Sequence, residues 1–181
     1  VNTFQTDPLA LDSDGDGDPD GSEQLFGGDP NNADITLGSF LVRHVVATPG
    51  TTLDFMDSFQ DLLSDPDRIA NQTATNVSLI NLSDGGDGNF ADGNAPFPLF
   101  VDAGGKDDFG IQVTGTITIT QPGLRTFGVN SDDGNQLFID GELVVDDPDT
   151  HGSRDAFGAV DLTEGDHQIE LLYYERSGGA H

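Results

Sequence analysis

Short runs in which apolar and polar residues alternate dominate the second half of the chain. A further strand is predicted from His167 to Tyr174. Apolar side chains alternate with other residues at Ile111, Val113, Ile117 and Ile119, at Phe127 and Val129, and at Leu137 and Ile139. This period of two is typical of strands that bury one face and expose the other. The turn pairs Pro122-Gly123 and Asp140-Gly141 separate such runs, so the pattern predicts antiparallel hairpins.

One stretch of the first half follows the helical period instead. Between Asp54 and Leu63, four apolar residues fall on one helical face, namely Phe55, Phe59, Leu62 and Leu63. Thr52 or Asp54 is the expected N-cap, and Asp65-Pro66 ends the pattern. We therefore expect one short helix that packs over a sheet edge.

The remainder of the first half predicts two strands and a long loop. The strands are Leu37–Ala47, in which we expect His44 to be a hydrogen-bonded surface group, and Asn76–Leu82. Residues 83–108 have little periodicity and are rich in Gly, Asp and Pro. A loop of this length in a compact domain is usually functional or an insertion. The alternative is an ordinary solvated surface loop.

The charge of the chain is strongly acidic. It has 181 residues with 33 acidic and 6 basic side chains, for a formal net charge of −27, and 24 glycines. Because 28 of the acids are Asp and only 5 are Glu, the composition favours turns and metal loops over helices. The charge argues against nucleic-acid partners and anionic membrane surfaces. Much of it is equally explained as an adaptation to a salty medium.

The N-terminal segment contains a calcium-loop pattern. The twelve residues from Asp12 to Glu23 match the EF-hand loop, with Gly17 at its sharp turn and acidic residues at the liganding positions Asp12, Asp14, Asp16, Asp18, Asp20 and Glu23. Pro8 and Pro30 stop any long flanking helices. The frame instead resembles a thrombospondin type 3 repeat, in which calcium stiffens a linker. We therefore predict a calcium repeat over residues 1–34 and a separate domain over residues 35–181.

Two adjacent aspartates, Asp132 and Asp133, occupy the tip of the central hairpin. Asp is a common turn residue, so the pair is explained either by turn formation or by a hard cation held between carboxylate oxygens. The residues alone leave both interpretations open.

The segment from Asp107 to Ala180 resembles the PA14 domain, a β-sandwich module of flocculins, adhesins and glycosidases. The resemblance rests on Asp107–Thr120, the core Gly123–Gly141 and the segment Leu162–Ala180. It implies an all-β, PA14-like sandwich or barrel with its core at residues 107–180, and one further strand after Ala180. In the sugar-binding members, two consecutive Asp residues joined by a cis peptide hold a Ca²⁺ that ligates sugar hydroxyls. Asp132 and Asp133 match that pair.

The resemblance also implies which loops contact a ligand. Candidates in the loop from Asp146 to Phe157 and in the loop after the last strand are His151, Arg154, Asp155, Glu175, Arg176, Gly178 and Gly179. The absence of Trp and the presence of only two Tyr leave few rings to stack on a sugar. Two calcium sites are therefore expected, one in each domain.

Several classes of protein are disfavoured. There is no cysteine, no apolar run of membrane-spanning length and no constellation typical of a hydrolase or a phosphate loop. Calcium loops of this type need the millimolar calcium found outside cells. The sequence thus predicts a secreted or cell-surface, non-enzymatic module that binds glycan in a calcium-dependent way. The alternative is a calcium-rigidified structural domain that packs on neighbouring subunits of a surface or filament protein.

Overall fold

The computed structural model describes residues 35–37, 40–84, 95–100 and 107–181, which form nine strands and one α-helix. The strands are β1 (Ile35–Leu37), β2 (Phe40–Ala47), β3 (Ile69–Val77), β4 (Phe109–Ile119), β5 (Gly123–Ser131), β6 (Asn135–Ile139), β7 (Glu142–Asp147), β8 (Arg154–Leu162) and β9 (Gly165–Glu175). The helix, α1, spans Met56–Ser64 and is followed by a 3-10 turn at Pro66–Arg68. The calcium loop predicted from Asp12 to Glu23 lies outside the described residues.

The strands form two antiparallel sheets. The larger has seven strands in the order β3-β2-β4-β9-β6-β7, with β1 also paired to β4, and the smaller consists of β5 and β8. At its centre, β4 and β9 pair over eleven residues each, from Phe109 opposite Glu175 to Ile119 opposite Gly165. The prediction of an all-β fold with one short helix is confirmed.

Alternation along β9 divides the interior into two parts. Ile169, Leu171 and Tyr173 face the core between the two sheets, where they join Phe127 of β5. Leu172 and Tyr174 point to the opposite face, where they contact the buried side of α1. Because successive side chains of a strand point to opposite faces, β9 is buried on both sides and fixes the position of its last residue, Glu175.

The two sheets approach each other closely at Gly158 of β8. A Cβ atom at this position would overlap the backbone carbonyl of Val144 in β7. A glycine within a strand marks either a bulge or a close approach of another group, and Gly115 lies within β4. The β4–β9 register is unbroken there, and the ring of Phe40 would lie 2.5 Å from an added Cβ. Gly115 is therefore a close-approach position.

The predicted helix is present but begins later than expected. Neither Thr52 nor Asp54 is its N-cap, because that position is occupied by Phe55, which has an extended backbone and no side-chain cap. The apolar face of the helix consists of Met56, Phe59 and Leu62, which are fully buried, whereas Phe55 is 55% exposed. The prediction that Phe55 packs in the core is wrong, since the chain turns helical only after it.

The strand boundaries in the first half also differ from the prediction. The strand expected over Asn76–Leu82 is instead β3, Ile69–Val77, which ends where the expected strand was to begin. β3 carries polar side chains on both faces and so lacks the alternation that identifies strands. The strand expected over Leu37–Ala47 comprises part of β1 and all of β2, which pair with different parts of β4.

His44 is fully buried, in contrast to the surface position expected for it. Its Nδ1 accepts a hydrogen bond from the Leu99 backbone N–H at 3.1 Å. The rings of Phe97, Phe100 and Phe109 surround it, with centroid distances of 5.9, 4.6 and 5.0 Å. His44 thus holds residues 95–100 against the sheet. Burial lowers the pKa of its imidazole to about 4.

Acid should destabilise the fold through His44. Its pKa is lowered in the folded state, so its contribution to stability is complete above about pH 6.5 and is lost as the pH falls through about 4. A shift of this size corresponds to about 3 kcal/mol of unfolding free energy. Urea unfolding from pH 7 to pH 4 should show a smaller loss for His44→Asn, which keeps an acceptor near the Nδ1 position. Equal losses in the two proteins would contradict this assignment.

Candidate functional site

The central hairpin turn is held by a short chain of buried hydrogen bonds. The Asn135 side-chain amide donates to the Ser131 hydroxyl at 2.8 Å, and that hydroxyl donates to the backbone carbonyl of Asp133 at 2.6 Å. The peptide bond between Asp132 and Asp133 is cis. The last residue of β5 and the first of β6 therefore fix the orientation of the two aspartates.

Three carboxylates meet at this turn. Asp132, Asp133 and Glu175 each offer an oxygen, and these oxygens all lie within 4.8 Å of one another. Asp133 is 2% exposed and Glu175 is fully buried, while Asp132 is partly exposed and gives the cluster access to solvent. β9 ends at Glu175, so the same strand that crosses both cores delivers the third carboxylate.

Asp133 joins two loops to the turn. One carboxylate oxygen accepts the backbone N–H of His151 at 2.8 Å, and the other accepts the backbone N–H of Arg176 at 2.9 Å. His151 lies in the connection between β7 and β8, and Arg176 directly follows β9. Each carboxylate oxygen has two lone pairs, so both retain one for a further partner.

Asp132 is held mainly through its backbone and contacts the C-terminal residue. Its N–H donates to the carbonyl of His181 at 3.2 Å, and its carbonyl accepts the His181 N–H at 3.4 Å. The same carbonyl accepts the Tyr173 hydroxyl at 2.5 Å. The Asp132 carboxylate receives the backbone N–H of Ser153.

The electrostatics of the cluster disfavour three simultaneous negative charges. Burial, reinforced by the charges of Asp133 and Asp132, raises the pKa of Glu175 to about 9. Burial and the charge of Asp133 also raise the pKa of Asp132. Glu175 Oε1 is buried and has no hydrogen-bond partner among the described residues. A hard cation would satisfy this oxygen and compensate the charges, since carboxylate oxygens are its preferred ligands.

The other predicted ligand residues lie in the β7–β8 connection, at the start of β8 and after β9. The His151 side chain lies beside Asp147, with Nε2 3.1 Å from a carboxylate oxygen. Arg154 forms a two-pronged ion pair with the same Asp147. Asp155 is exposed and accepts the Asn130 amide at 2.6 Å. The remaining two positions are glycines: a Cβ atom added at Gly178 would lie 4.0 Å from Glu175 Oε1, and one added at Gly179 would meet no atom within 4 Å.

Sequence reasoning missed the residues just before the helix. The Asp54 carboxylate forms an ion pair with Arg176 Nε at 3.2 Å, and the Asp54 carbonyl accepts the Thr150 hydroxyl at 2.8 Å. Phe55 pairs with Asp149 in an isolated β-bridge. These residues are nearly a hundred positions away from the β7–β8 connection, and their helical spacing pointed to the core, so no local signal placed them here.

The fold and the site together describe an antiparallel β-sandwich that carries a partly exposed acidic cluster in the turn between β5 and β6. The family model of the PA14 domain matches residues 71–181. The chain therefore belongs to the PA14 family. Asp54, Phe55 and α1 lie outside the matched segment.

Solved structures share the fold at low sequence identity. The PA14 domain of the MpAFP antifreeze protein is 16% identical with a TM-score of 0.53, and the match covers 78% of this chain and 77% of that one. A PA14 sugar-binding domain from an RTX adhesin is 17% identical with a TM-score of 0.54, covering 80% and 87%. An anti-sigma factor domain-containing protein is 19% identical with a TM-score of 0.54, covering 80% of this chain but 40% of that one. Comparison with curated proteins gives no match.

Proposed function

We propose that this protein is a calcium-dependent glycan-binding module, with its calcium held by Asp132, Asp133 and Glu175. The observation that carries the proposal is the cluster itself. Its Glu175 carboxylate is fully buried, has one oxygen with no hydrogen-bond partner among the described residues, and has a pKa raised to about 9. Buried like charges of this kind are costly without a compensating cation. The partial exposure of Asp132 leaves one side open to a ligand.

Calcium fits the donor set better than magnesium. All three side chains provide oxygen, and backbone hydrogen bonds to Asp133 and Asp132 already fix two of them. Ca²⁺ accepts irregular coordination by six to eight oxygens, whereas Mg²⁺ needs a near-octahedral shell and retains its waters. Calcium with open coordination positions can exchange water for the vicinal hydroxyls of a sugar.

Two further features support a sugar as the ligand. One structural relative is described as a sugar-binding domain from an RTX adhesin. In addition, Phe55 supplies an exposed ring beside the loop that contacts Asp133, which offsets the absence of Trp. We propose His151, Arg154, Asp155, Arg176, Gly178 and Gly179 as the surrounding ligand residues. Binding would be weak for one site and would depend on several copies acting together on a surface glycan.

A structural role is the second candidate. Asp133 ties the β7–β8 connection and the segment after β9 to one turn, so an ion there would stabilise three loops at once. If the predicted N-terminal loop from Asp12 to Glu23 also binds calcium, both ions would stiffen a surface protein. Within the described residues, no helix is long and apolar enough to cross a bilayer. Secretion and the lack of enzymatic activity remain predictions.

Calorimetric titration of the whole chain with Ca²⁺ tests the metal step. We expect two classes of site, one for each proposed ion. A second titration then adds D-mannose, D-galactose, D-glucose, L-fucose and their disaccharides to the calcium-loaded protein and to the protein in chelator. We expect sugar to bind to the calcium-loaded protein and not to the protein in chelator.

The outcomes separate the two candidates. Calcium binding at the cluster without binding of any glycan on a broad array would leave the structural role. Sugar binding that persists in chelator would contradict the proposed mechanism. Failure of Ca²⁺ to bind at the cluster would overturn both roles for this site.

A further inference from the structure

β3 forms the outer edge of the large sheet, with one face exposed and the other partly exposed. It pairs with β2 on one side, and among the described residues no strand pairs with its other side. None of its nine residues is buried. Within the part of the chain that the structure describes, the outer edge therefore offers backbone N–H and C=O groups that can pair with another strand.

The edge also lacks the charges that normally prevent such pairing. Residues 69–83 contain no Asp, Glu, Lys or Arg, although the whole chain carries a formal net charge of −27. Edge strands are usually protected by charged side chains, proline or bulges. The described β2–β3 pairing has a register irregularity only near Val46 and Ala47, at one end of the strand.

The sequence of β3 is complementary to itself in the antiparallel direction. A two-fold axis at Thr73 would place Thr73 opposite its copy, Asn71 opposite Thr75 and Ile69 opposite Val77. β-Branched and hydroxyl pairs of this kind stabilise antiparallel strands. The acidic end of the strand, at Asp67, would then lie next to the neutral end beyond Val77, whereas parallel pairing would bring the acidic ends together.

We propose that β3 is a self-association edge, through which two copies of this chain join their large sheets by antiparallel pairing about Thr73. The occupant is a second copy, because its own β3 is a neutral strand that meets the edge without introducing like charge. Since the rest of each molecule is strongly acidic, association should strengthen as salt screens the repulsion. The proposal does not depend on glycan binding.

Sedimentation velocity over a range of concentrations, at low and high salt, tests the proposal on the full chain. The wild type should form dimers that strengthen with salt. Thr73→Lys and Thr73→Asp should each weaken dimerisation about fivefold, because like charges would face each other across the axis. An equimolar mixture of the two variants should restore it by pairing opposite charges. Thr126→Lys, at an exposed position of β5, is the matched control and should behave as the wild type.

Hydrogen exchange provides an independent measurement. The amides of residues 69–77 should become protected as the concentration rises, and in Thr73→Lys this protection should require higher concentrations. A wild type that stays monomeric at every concentration overturns the proposal. So does a dimer that Thr73→Lys leaves unchanged, or one that Thr126→Lys weakens equally.

Discussion

Asp133→Ala should greatly weaken calcium binding at the cluster and also loosen the loops around it. The change removes a proposed ligand, and it leaves the backbone N–H groups of His151 and Arg176 without their acceptor. Loss of a direct metal ligand should lower calcium affinity by at least about 100-fold, because even second-shell changes cost 10- to 100-fold. Lost hydrogen bonds to a charged group should lower the unfolding free energy in chelator by about 1.5–3 kcal/mol. Calorimetric titration and urea unfolding measure the two effects separately.

Two further variants separate metal binding from folding. Asp161→Ala removes an exposed carboxylate of β8 and should leave both calcium affinity and stability near the wild type. Glu175→Gln keeps the shape of the buried side chain and lacks its negative charge. It should lose calcium affinity without losing stability in chelator. Unchanged calcium affinity in both Asp133→Ala and Glu175→Gln would mean that the cluster holds no ion.

The pH dependence of stability in the metal-free protein independently tests the raised pKa of Glu175. Its pKa is raised to about 9, so its contribution to stability is complete below the unfolded value of 4.5 and is lost as the pH rises through about 9. Melting in chelator should therefore show a larger decline from pH 5 to pH 9 in the wild type than in Glu175→Gln. Calcium should reduce this decline, because it favours the ionised carboxylate.

The sequence predicted the second half of the fold well because its strands are buried on at least one face. Alternation from Ile111 to Ile119 and around Leu137 reflects burial between the sheets, which is a local property of each strand. β3 was misplaced because none of its residues is buried and polar side chains occupy both its faces, so no apolar period marks it. His44 was misjudged because its burial depends on Phe97 and Phe100, more than fifty residues away.

For the candidate site too, local motifs were predictable from the sequence, and contacts between distant segments were not. Asp132 and Asp133 were predicted because they match a local motif of the PA14 resemblance, and Glu175 because the same resemblance implies a ligand loop after the last strand. The structure brings the three carboxylates together, and their role as ligands stays a prediction. The contribution of Asp54 and Phe55 arises from pairing with Asp149 and Arg176, which only the tertiary structure brings together. Which ion and which ligand a site of this kind accepts depends on geometry that local patterns do not encode.

Gly158→Ala should destabilise the sandwich more than any exposed substitution. An added methyl would overlap the carbonyl of Val144, which belongs to the backbone of β7 and cannot rotate away. Relief requires that β8 move away from β7, which would also disturb the packing of β5 on the core. Overpacking against backbone should cost about 3 kcal/mol or more. For a domain of this size, this corresponds to a melting temperature lowered by roughly 6–12 °C.

Gly152→Ala is the matched control for this prediction, since the same methyl added there meets no atom within 4 Å. Its unfolding free energy should stay within about 0.5 kcal/mol of the wild type. Thermal melts of both variants in calcium and in chelator distinguish a packing effect from a metal effect, because Gly158 is not among the residues proposed to bind the ion. If Gly158→Ala has the same melting temperature as Gly152→Ala, β8 does not approach β7 as closely as described. If its defect disappears in calcium, the strain lies at the loops of the cluster and not between the sheets.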